Sequence, residues 1–256
     1  MKILVSNDDG INASGIHALA KALQSIGEVS VVAPATQQTA KGHSLTIGGE
    51  IRVQKRFFEE GIPGFAVWGT PKDCIDLAVD ALLDFTPDLI VTGINEGPNI
   101  CNDCVSSGTI GGAIAGFNNG IPSIATSLDF GDTYDYEKCT PIITDIVRWF
   151  IDLPYNKEFT LSVNFPNVEE FKGITIAESG GYHTFDVHYE IVREDEDSQY
   201  YVIPGGHVVI NDVIEDLEHD IYAMSQGYVV ITPVHYDMVH DQALEALRKD
   251  WNEHVK

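Results

Sequence analysis

The chain has 256 residues, of which 44% are hydrophobic, so it can bury a substantial core as one large domain or as a core with an extension. Its formal net charge of −24 argues against DNA or RNA as a bulk partner, because a phosphate backbone requires a basic surface; a small phosphorylated ligand stays compatible if a cation is bound. Met1 and Lys2 lead into a short strand pattern without an export signal, and no apolar run approaches membrane-spanning length, so we expect a cytoplasmic protein that does not bind membranes.

Strands alternate with helices in the first half of the chain. Short apolar runs predict four strands, at residues 3–6, 28–33, 88–92 and 123–126. Helical spacing and capping residues predict the three helices between them, at residues 16–25, 70–83 and 109–118. Because the strands are apolar throughout and helices connect them, they indicate a mostly parallel sheet covered on both faces. The expected fold is a three-layer α/β/α Rossmann-like core that extends to about residue 127.

The pattern changes after residue 127. Four further elements are predicted, namely a helix at 140–151, strands at 160–164 and 227–233, and a terminal helix at 241–251. Residues 174–210 alternate between apolar and polar and contain a charged turn at 193–197, which predicts an antiparallel β-hairpin arm with a solvated loop. We therefore expect a single domain over residues 1–256. It would comprise the core with the active site (about 1–127), the remaining core elements and the arm (about 128–235), and a C-terminal helix (about 236–256).

The first strand ends in two adjacent carboxylates, Asp8 and Asp9, which are followed by Gly10. On a continuing strand the two side chains would point to opposite faces, but a turn at the glycine lets both converge on one point. Neighbouring carboxylates repel one another, and a shared proton or a bound cation relieves the repulsion. The pair therefore predicts a cation site. The alternative is that Asp9 only caps the following helix.

Two other strand ends bring polar residues to the same edge of the predicted sheet, where ligands of open parallel sheets bind. The second strand leads into a loop with several hydroxyl groups, residues 34–44, and the strand at 88–92 leads to Asn95. Oxygen ligands from Asp8, Asp9, Asn95 and one loop hydroxyl suit Mg²⁺ or Mn²⁺. A softer metal would require histidine or thiolate ligands, and at these strand ends only His43 is a candidate.

A stretch rich in glycine and hydroxyl groups, residues 106–112, opens the helix predicted at 109–118. Free backbone N–H groups and the helix dipole bind anions at such a position, so Ser107, Gly108 and Thr109 are candidates for a phosphate cradle. The alternative is close packing of a glycine-rich helix on the sheet. The sequence contains neither a Walker-type lysine nor a dinucleotide-binding glycine motif, which argues against a nucleoside triphosphatase or a dehydrogenase.

Several motifs match those of a known family. The most specific are Asn-Asp-Asp-Gly at residues 7–10 and Ser-Gly-Thr at residues 107–109. Further matches lie at residues 32–34, 42–44, 69–71, 93–95, 97–99, 122–125, 164–166 and 227–233. On these motifs the chain resembles, nearly from end to end, the SurE (stationary-phase survival protein) family of metal-dependent nucleoside-monophosphate phosphatases.

The resemblance implies a 5′-nucleotidase that hydrolyses nucleoside monophosphates, and it leaves 3′-nucleotidase and exopolyphosphatase activity open. It implies one Mg²⁺ or Mn²⁺ ion per subunit, with the family's metal ligands falling on Asp8, Asp9, Thr39 and Asn95. Thr39 stands where the family usually has serine; the hydroxyl is retained, but the β-branched side chain is stiffer.

The resemblance also implies roles around the substrate phosphate for Asn99, Ser107 and Thr109. Asp8 or Asp9 is the candidate for steering the proton of the attacking water, and His43 is a candidate for protonating the leaving group. The assembly that the resemblance implies is a homodimer or homotetramer in which the arm and the C-terminal helix are exchanged between subunits.

Three other classes of protein are alternatives. A phosphoacceptor signalling domain requires an acceptor aspartate at the strand end where this chain has Asn95. A haloacid-dehalogenase-type phosphatase requires an acid two residues after its nucleophilic aspartate, where this chain has Gly10. A non-catalytic regulatory module that binds nucleotide and Mg²⁺ would bind AMP without releasing phosphate.

Overall fold

The computed structural model describes residues 1–58, 61–204, 208–237 and 241–254, and within these ranges all side chains except those of residues 184, 185, 241, 242, 252 and 253. The described strands are β1 Lys2–Ser6, β2 Glu28–Pro34, β3 Val53–Phe57, β4 Pro63–Val67, β5 Leu89–Glu96, β6 Ser123–Leu128, β7 Thr160–Phe165, β8 Gly173–Ile176, β9 Tyr182–Phe185, β10 Glu190–Glu194, β11 Gln199–Val202, β12 Val208–Asn211 and β13 Tyr228–Val234. Nine of them form one sheet in the order β3-β4-β2-β1-β5-β6-β7-β13-β8.

The large sheet is mostly parallel. Six of its eight neighbouring pairs run parallel, and only β3 with β4 and β13 with β7 are antiparallel. The predicted α/β class is therefore confirmed. The predicted hairpin arm is confirmed as two small antiparallel pairs, β9 with β12 and β10 with β11. One correction concerns Gly173–Ile176: it forms β8, at the edge of the large sheet next to β13, and is not part of either hairpin.

Helices cover both faces of the sheet. The helices that the structure describes are α1 Ser14–Leu23, α2 Pro71–Leu77, α3 Asp103–Ser106, α4 Gly108–Asn118, α5 Tyr136–Ile151, α6 Asp220–Ser225 and α7 Asp241–His254, of which α1 and α5 cover one face and α2 and α4 the other. Alternate residues of β1 belong to opposite cores: Ile3 and Val5 pack with α1 and α5, whereas Leu4 packs with α2 and α4. A strand that is buried on both faces has no polar side, which explains the continuous apolar run in the sequence.

Local sequence signals account for most helix boundaries. Thr70 caps α2 by accepting a hydrogen bond from the backbone N–H of Asp73, while the Asp73 carboxylate accepts one from the N–H of Thr70, and Pro71 follows the cap. The helix then continues into a π-helical turn, Ala78–Leu82. Helix α5 begins four residues before the predicted position because Asp135 accepts a hydrogen bond from the N–H of Lys138 and caps the helix there.

The end of β5 differs from the prediction. The strand was expected to end at residue 92, but it extends to Glu96, and its register with β6 shifts between Thr92 and Asn95. Gly93 permits this irregularity, since its φ is +123° and a Cβ there would lie 2.2 Å from the carbonyl oxygen of Thr126. No helix in the described part of the chain is long and apolar enough to cross a membrane.

Candidate functional site

Six of the predicted site residues line one pocket at the carboxyl ends of β1 and β5. The pocket has a volume of about 290 Å³. The predicted residues in its lining are Asp8, Asp9, Thr39, Asn95, Asn99 and Ser107. The structure therefore brings together residues that are up to 99 positions apart in the sequence, as expected for strand ends at one edge of a parallel sheet.

The turn after β1 places the two carboxylates. The side chain of Asn7 closes the turn, with its Oδ1 accepting from the N–H of Gly10 and its Nδ2 donating to the Gly10 carbonyl. Gly10 has a φ of +103°, a conformation that favours glycine. The N-cap position of α1 is Ala13, which makes no side-chain capping bond. The alternative in which Asp9 caps this helix is therefore wrong.

Asp8 is buried and held from two directions. Its Oδ1 accepts a short hydrogen bond from the hydroxyl of Thr109, and its backbone carbonyl accepts one of 2.6 Å from the N–H of Gln38. The second bond fixes the loop that carries Thr39 against the end of β1. Burial raises the pKa of Asp8 above its ordinary value of 3.8, although the hydrogen bond from Thr109 acts in the opposite direction.

Asp9 is half-buried and lies beside further negative charge. Its Oδ2 accepts a hydrogen bond of 3.3 Å from the N–H of Glu96. Burial, followed by the charges of Asp8 and Glu96, raises the pKa of Asp9 from 3.8 to about 7. Ionising two neighbouring carboxylates whose pKa values are raised costs electrostatic free energy, and a bound dication removes that cost.

The donor set of the pocket suits a hard divalent cation. Four carboxylates line it, those of Asp8, Asp9, Glu96 and Asp103, and the described lining residues include no lysine, arginine or histidine. The amide nitrogen of Asn95 donates to the carbonyl of Gly97 at 2.8 Å, which leaves its Oδ1 as the atom to offer a metal. Within the described ranges, no group of three His, Cys, Asp or Glu residues could hold a metal. The fitting set is thus two carboxylates with the neutral oxygens of Thr39 and Asn95.

The start of α4 shows a side-chain helix cap and the close packing expected of a glycine-rich helix, while its role as a phosphate cradle stays a prediction. Ser107 is the N-cap, and its hydroxyl accepts a hydrogen bond of 3.1 Å from the N–H of Ile110. Close packing is also present: a Cβ at Gly108 would lie 2.7 Å from the Cβ of Asp8, and one at Gly111 would lie 2.4 Å from the carbonyl oxygen of Gly42. Because Gly108 permits this approach, the N-terminus of α4 stands directly against the carboxylate pair.

Asn99 is buried and fixed by its neighbours. Its Nδ2 donates to the hydroxyl of Ser127 at 2.8 Å, and its backbone N–H donates to Oδ1 of Asn164 at 2.8 Å. The loop after β5 is thereby attached to the ends of β6 and β7, so that Asn99 keeps a fixed place in the pocket wall.

Three predicted residues, Gly108, Thr109 and His43, do not line the pocket of the carboxylates. Gly108 and Thr109 lie behind Asp8, which accepts a hydrogen bond from the hydroxyl of Thr109. His43 lines a neighbouring apolar pocket of about 660 Å³, and among the lining residues that are described the two pockets share only Ser107. Burial and the charge of Lys72 lower the pKa of His43. The structure therefore does not bring His43 together with Asp8 and Asp9, and its role as a proton donor stays a prediction.

Sequence reasoning missed several residues of the pocket wall. Glu96, Asp103, Phe130 and Tyr134 all line it. Glu96 directly follows Asn95, so its position at a strand end was a usable signal. The sequence carries no local signal for the other three, because they follow segments whose approach to the pocket depends on packing.

Comparisons with known proteins show which proteins this chain is similar to. The family model described as "Survival protein SurE" matches residues 3–185. Two relatives named 5′-nucleotidase SurE are each 39% identical to this chain: that of Carboxydothermus hydrogenoformans over 213 residues, covering 80% of each chain, and that of Trichodesmium erythraeum over 210 residues, covering 80% of this chain and 78% of the relative. The crystal structure of the SurE protein from Aquifex aeolicus superposes with a TM-score of 0.77 at 31% identity, covering 97% of this chain and 99% of the other.

Proposed function

This chain belongs to the SurE family, and we propose that it is a divalent-metal-dependent phosphatase that hydrolyses nucleoside monophosphates to nucleoside and phosphate. The observation that carries the proposal is the desolvated pair Asp8 and Asp9, at the mouth of a parallel sheet, in a pocket whose described lining contains no basic side chain. Such a pocket repels a phosphate ester unless a cation reverses the local field. The names of the relatives support a 5′-nucleotidase.

In this proposal Asp8, Asp9, Thr39 and Asn95 hold one Mg²⁺ or Mn²⁺ ion. When bound, the ion neutralises charge on the phosphoryl oxygens and lowers the pKa of a coordinated water. Asp8 is immobilised by Thr109 and buried, so it serves as the fixed ligand. Asp9 is the more exposed carboxylate, and we assign to it the steering of the proton that the attacking water loses.

The phosphate is proposed to lie against Asn99 and the start of α4. The hydroxyl of Ser107 and the positive end of the helix dipole favour an anion there, while the N–H groups of Gly108 and Thr109 already act on the carboxylate of Asp8. Thr109 acts indirectly, because its hydroxyl is already used by Asp8. Asn99 orients the ester from the opposite loop, where its side chain is held by Ser127. The protonation of the leaving group by His43 would require the substrate to extend past Ser107 into the neighbouring pocket.

Two of the alternative classes lack the residues that they require. A covalent phospho-aspartate mechanism needs an acid where Gly10 stands, and the left-handed φ of Gly10 disfavours any other residue there. A phosphoacceptor domain needs an aspartate where Asn95 stands. A phosphoenzyme trapped after quenching would support one of them. A non-catalytic binding module would bind AMP but release no phosphate.

We further propose a cytoplasmic location and a homodimer or homotetramer formed through the arm and the C-terminal helix. What supports the assembly is the exposure of large apolar side chains on both: Tyr189 and Val192 on the arm, and Leu247 and Trp251 on α7. Activity toward 3′-nucleotides and polyphosphate belongs to the same proposal and would use the same metal and phosphate sites.

The test is phosphate release from a panel of 5′- and 3′-nucleoside monophosphates and polyphosphate, in Mg²⁺, Mn²⁺ or EDTA. We expect release from at least one 5′-monophosphate with either cation and none in EDTA. Undiminished release in EDTA from protein first freed of metal would contradict the metal requirement. Binding of AMP without release under all conditions would favour the non-catalytic module.

A further inference from the structure

A buried histidine–carboxylate pair forms part of the pocket wall and has no place in the metal or phosphate sites. Asp103 begins α3 and lines the pocket with Asp8 and Asp9. His183 lies on β9, at the base of the arm, 80 residues away in the sequence. Its Nδ1 is 2.5 Å from Oδ2 of Asp103, and the side chains are only 5% and 7% exposed. The contact is a hydrogen bond in which the tautomer with the proton on Nδ1 donates to the carboxylate.

The same histidine is tied to α3 by its backbone. Its N–H donates to Oδ1 of Asn102 at 3.0 Å, so β9 contacts α3 through both its main chain and its side chain. A second carboxylate is near: burial raises the pKa of Asp129, and the charge of His183 acts in the opposite direction. The imidazole is therefore held rigidly among acidic groups, and the Asp103 carboxylate has one orientation fixed by it.

Asp103 is not part of the metal donor set. Among the residues that the structure describes, no three acidic, histidine or cysteine side chains are grouped closely enough for a metal, so Asp103 does not act as a third carboxylate beside Asp8 and Asp9. One of its oxygens is occupied by His183, and a carboxylate has further lone pairs to offer. A group that only accepts hydrogen bonds selects a ligand that brings O–H or N–H groups.

The position of Asp103 limits where those groups lie in the ligand. The carbonyl of Asp103 accepts the N–H of Ser107 at 3.0 Å, so the acid stands one turn from the helix start proposed to bind phosphate. A donor that reaches Asp103 must be only a few bonds from the phosphate ester. In a nucleoside monophosphate the ribose hydroxyls meet that condition, since the donors of the base are farther from the phosphorus.

We propose that Asp103 is a substrate-binding residue that accepts hydrogen bonds from the ribose hydroxyls of the nucleotide, and that His183 is the positioning residue that holds its carboxylate. This inference rests on the proposed function, and it names the substrate class as ribonucleotides. The arm thereby contributes to substrate selection through His183, although none of the arm residues that the structure describes lines the pocket.

The test compares AMP with 2′,3′-dideoxyadenosine 5′-monophosphate, which lacks both ribose hydroxyls, at saturating Mn²⁺. We expect wild-type protein to prefer AMP by at least about 10-fold in kcat/KM, mainly through KM, as a hydrogen bond to a charged group predicts. Asp103→Asn removes the charge, and His183→Gln removes the imidazole that orients it. Each is expected to reduce the preference to about 3-fold or less.

The matched control is His188→Gln, which changes an exposed histidine of the same arm that lies 3.5 Å from Glu190. The AMP preference of this variant is expected to equal that of the wild type. A purely structural role for the buried pair would lower both activities alike and leave the ratio unchanged, which would overturn the inference.

The wild-type measurement decides the matter if neither variant folds. A preference for AMP then supports the inference, and equal rates on the two substrates overturn it while leaving the phosphatase assignment intact. Absence of phosphate release from both substrates overturns the proposed function and this inference with it.

Discussion

Removing one carboxylate from the site is expected to stabilise the metal-free protein. In Asp9→Asn the neutral amide replaces a side chain whose pKa is raised from 3.8 to about 7 by burial and by the charges of Asp8 and Glu96. Between about pH 4 and pH 7 the folded wild type binds more protons at this position than the unfolded chain does. The free energy of unfolding of the wild type in EDTA therefore falls as the pH rises through that window. The contribution of protonated Asp9 to that free energy is fully lost above pH 7.

The magnitude follows from the two pKa values. A difference of about 3 corresponds to about 4 kcal/mol at about 1.4 kcal/mol for each pKa unit. Asp9 is only half-buried, so solvent screening reduces this ceiling, and we expect about 2 kcal/mol. For a chain of this length the variant should then melt about 4–8 °C above the wild type at pH 8 in EDTA. At pH 4 the two proteins should melt within about 1 °C of each other, because both are then neutral at position 9.

The assay is thermal unfolding at pH 4, 6 and 8, with EDTA or with excess Mn²⁺. The exposed Asp84→Asn is the control for the loss of one negative charge, and it should not change the pH dependence. Manganese should stabilise the wild type and the control by mass action but not Asp9→Asn. If Asp9→Asn is no more stable than the wild type at pH 8 in EDTA, the electrostatic account of the pair is wrong.

Three further substitutions test the same site. Asp8→Asn should lower the rate of AMP hydrolysis by at least ~10², measured as phosphate release, because a charge-stabilising group is lost; a near-normal rate would refute the assignment. Thr39→Ser should keep its Mn²⁺ affinity in calorimetric titration, whereas Thr39→Val, which lacks the hydroxyl, should bind the ion more weakly; equal affinities would remove Thr39 from the ligand set. Gly108→Ala should cost about 1–3 kcal/mol of stability and weaken Mn²⁺ binding, because its Cβ would lie 2.7 Å from the Cβ of Asp8. Gly49→Ala meets only an ordinary contact at 3.4 Å and is the control; equal stability of the two variants would contradict the packing argument.

The parts of the site that follow regular strands were predictable from sequence. Asp8, Asp9 and Asn95 come after apolar runs, and the carboxyl ends of parallel strands must meet at one edge of the sheet. Thr39 was assigned by resemblance alone, since nothing local distinguishes it from the other hydroxyl residues of its loop. The prediction for His43 was made from loop position, and a loop of this length gives no information about the side of Ser107 on which its residues lie.

The sequence by itself determined the alternation of strands and helices, because burial on one or two faces imposes a period that can be counted along the chain. It also determined that two acids stand at the end of the first strand. Only the tertiary structure decided that β5 shifts its register before Asn95, that Gly108 lets α4 approach Asp8, and that His183 reaches Asp103 across 80 residues. These contacts join segments that are distant in sequence, and their geometry depends on how whole elements pack. Such packing leaves no periodic pattern in the local sequence.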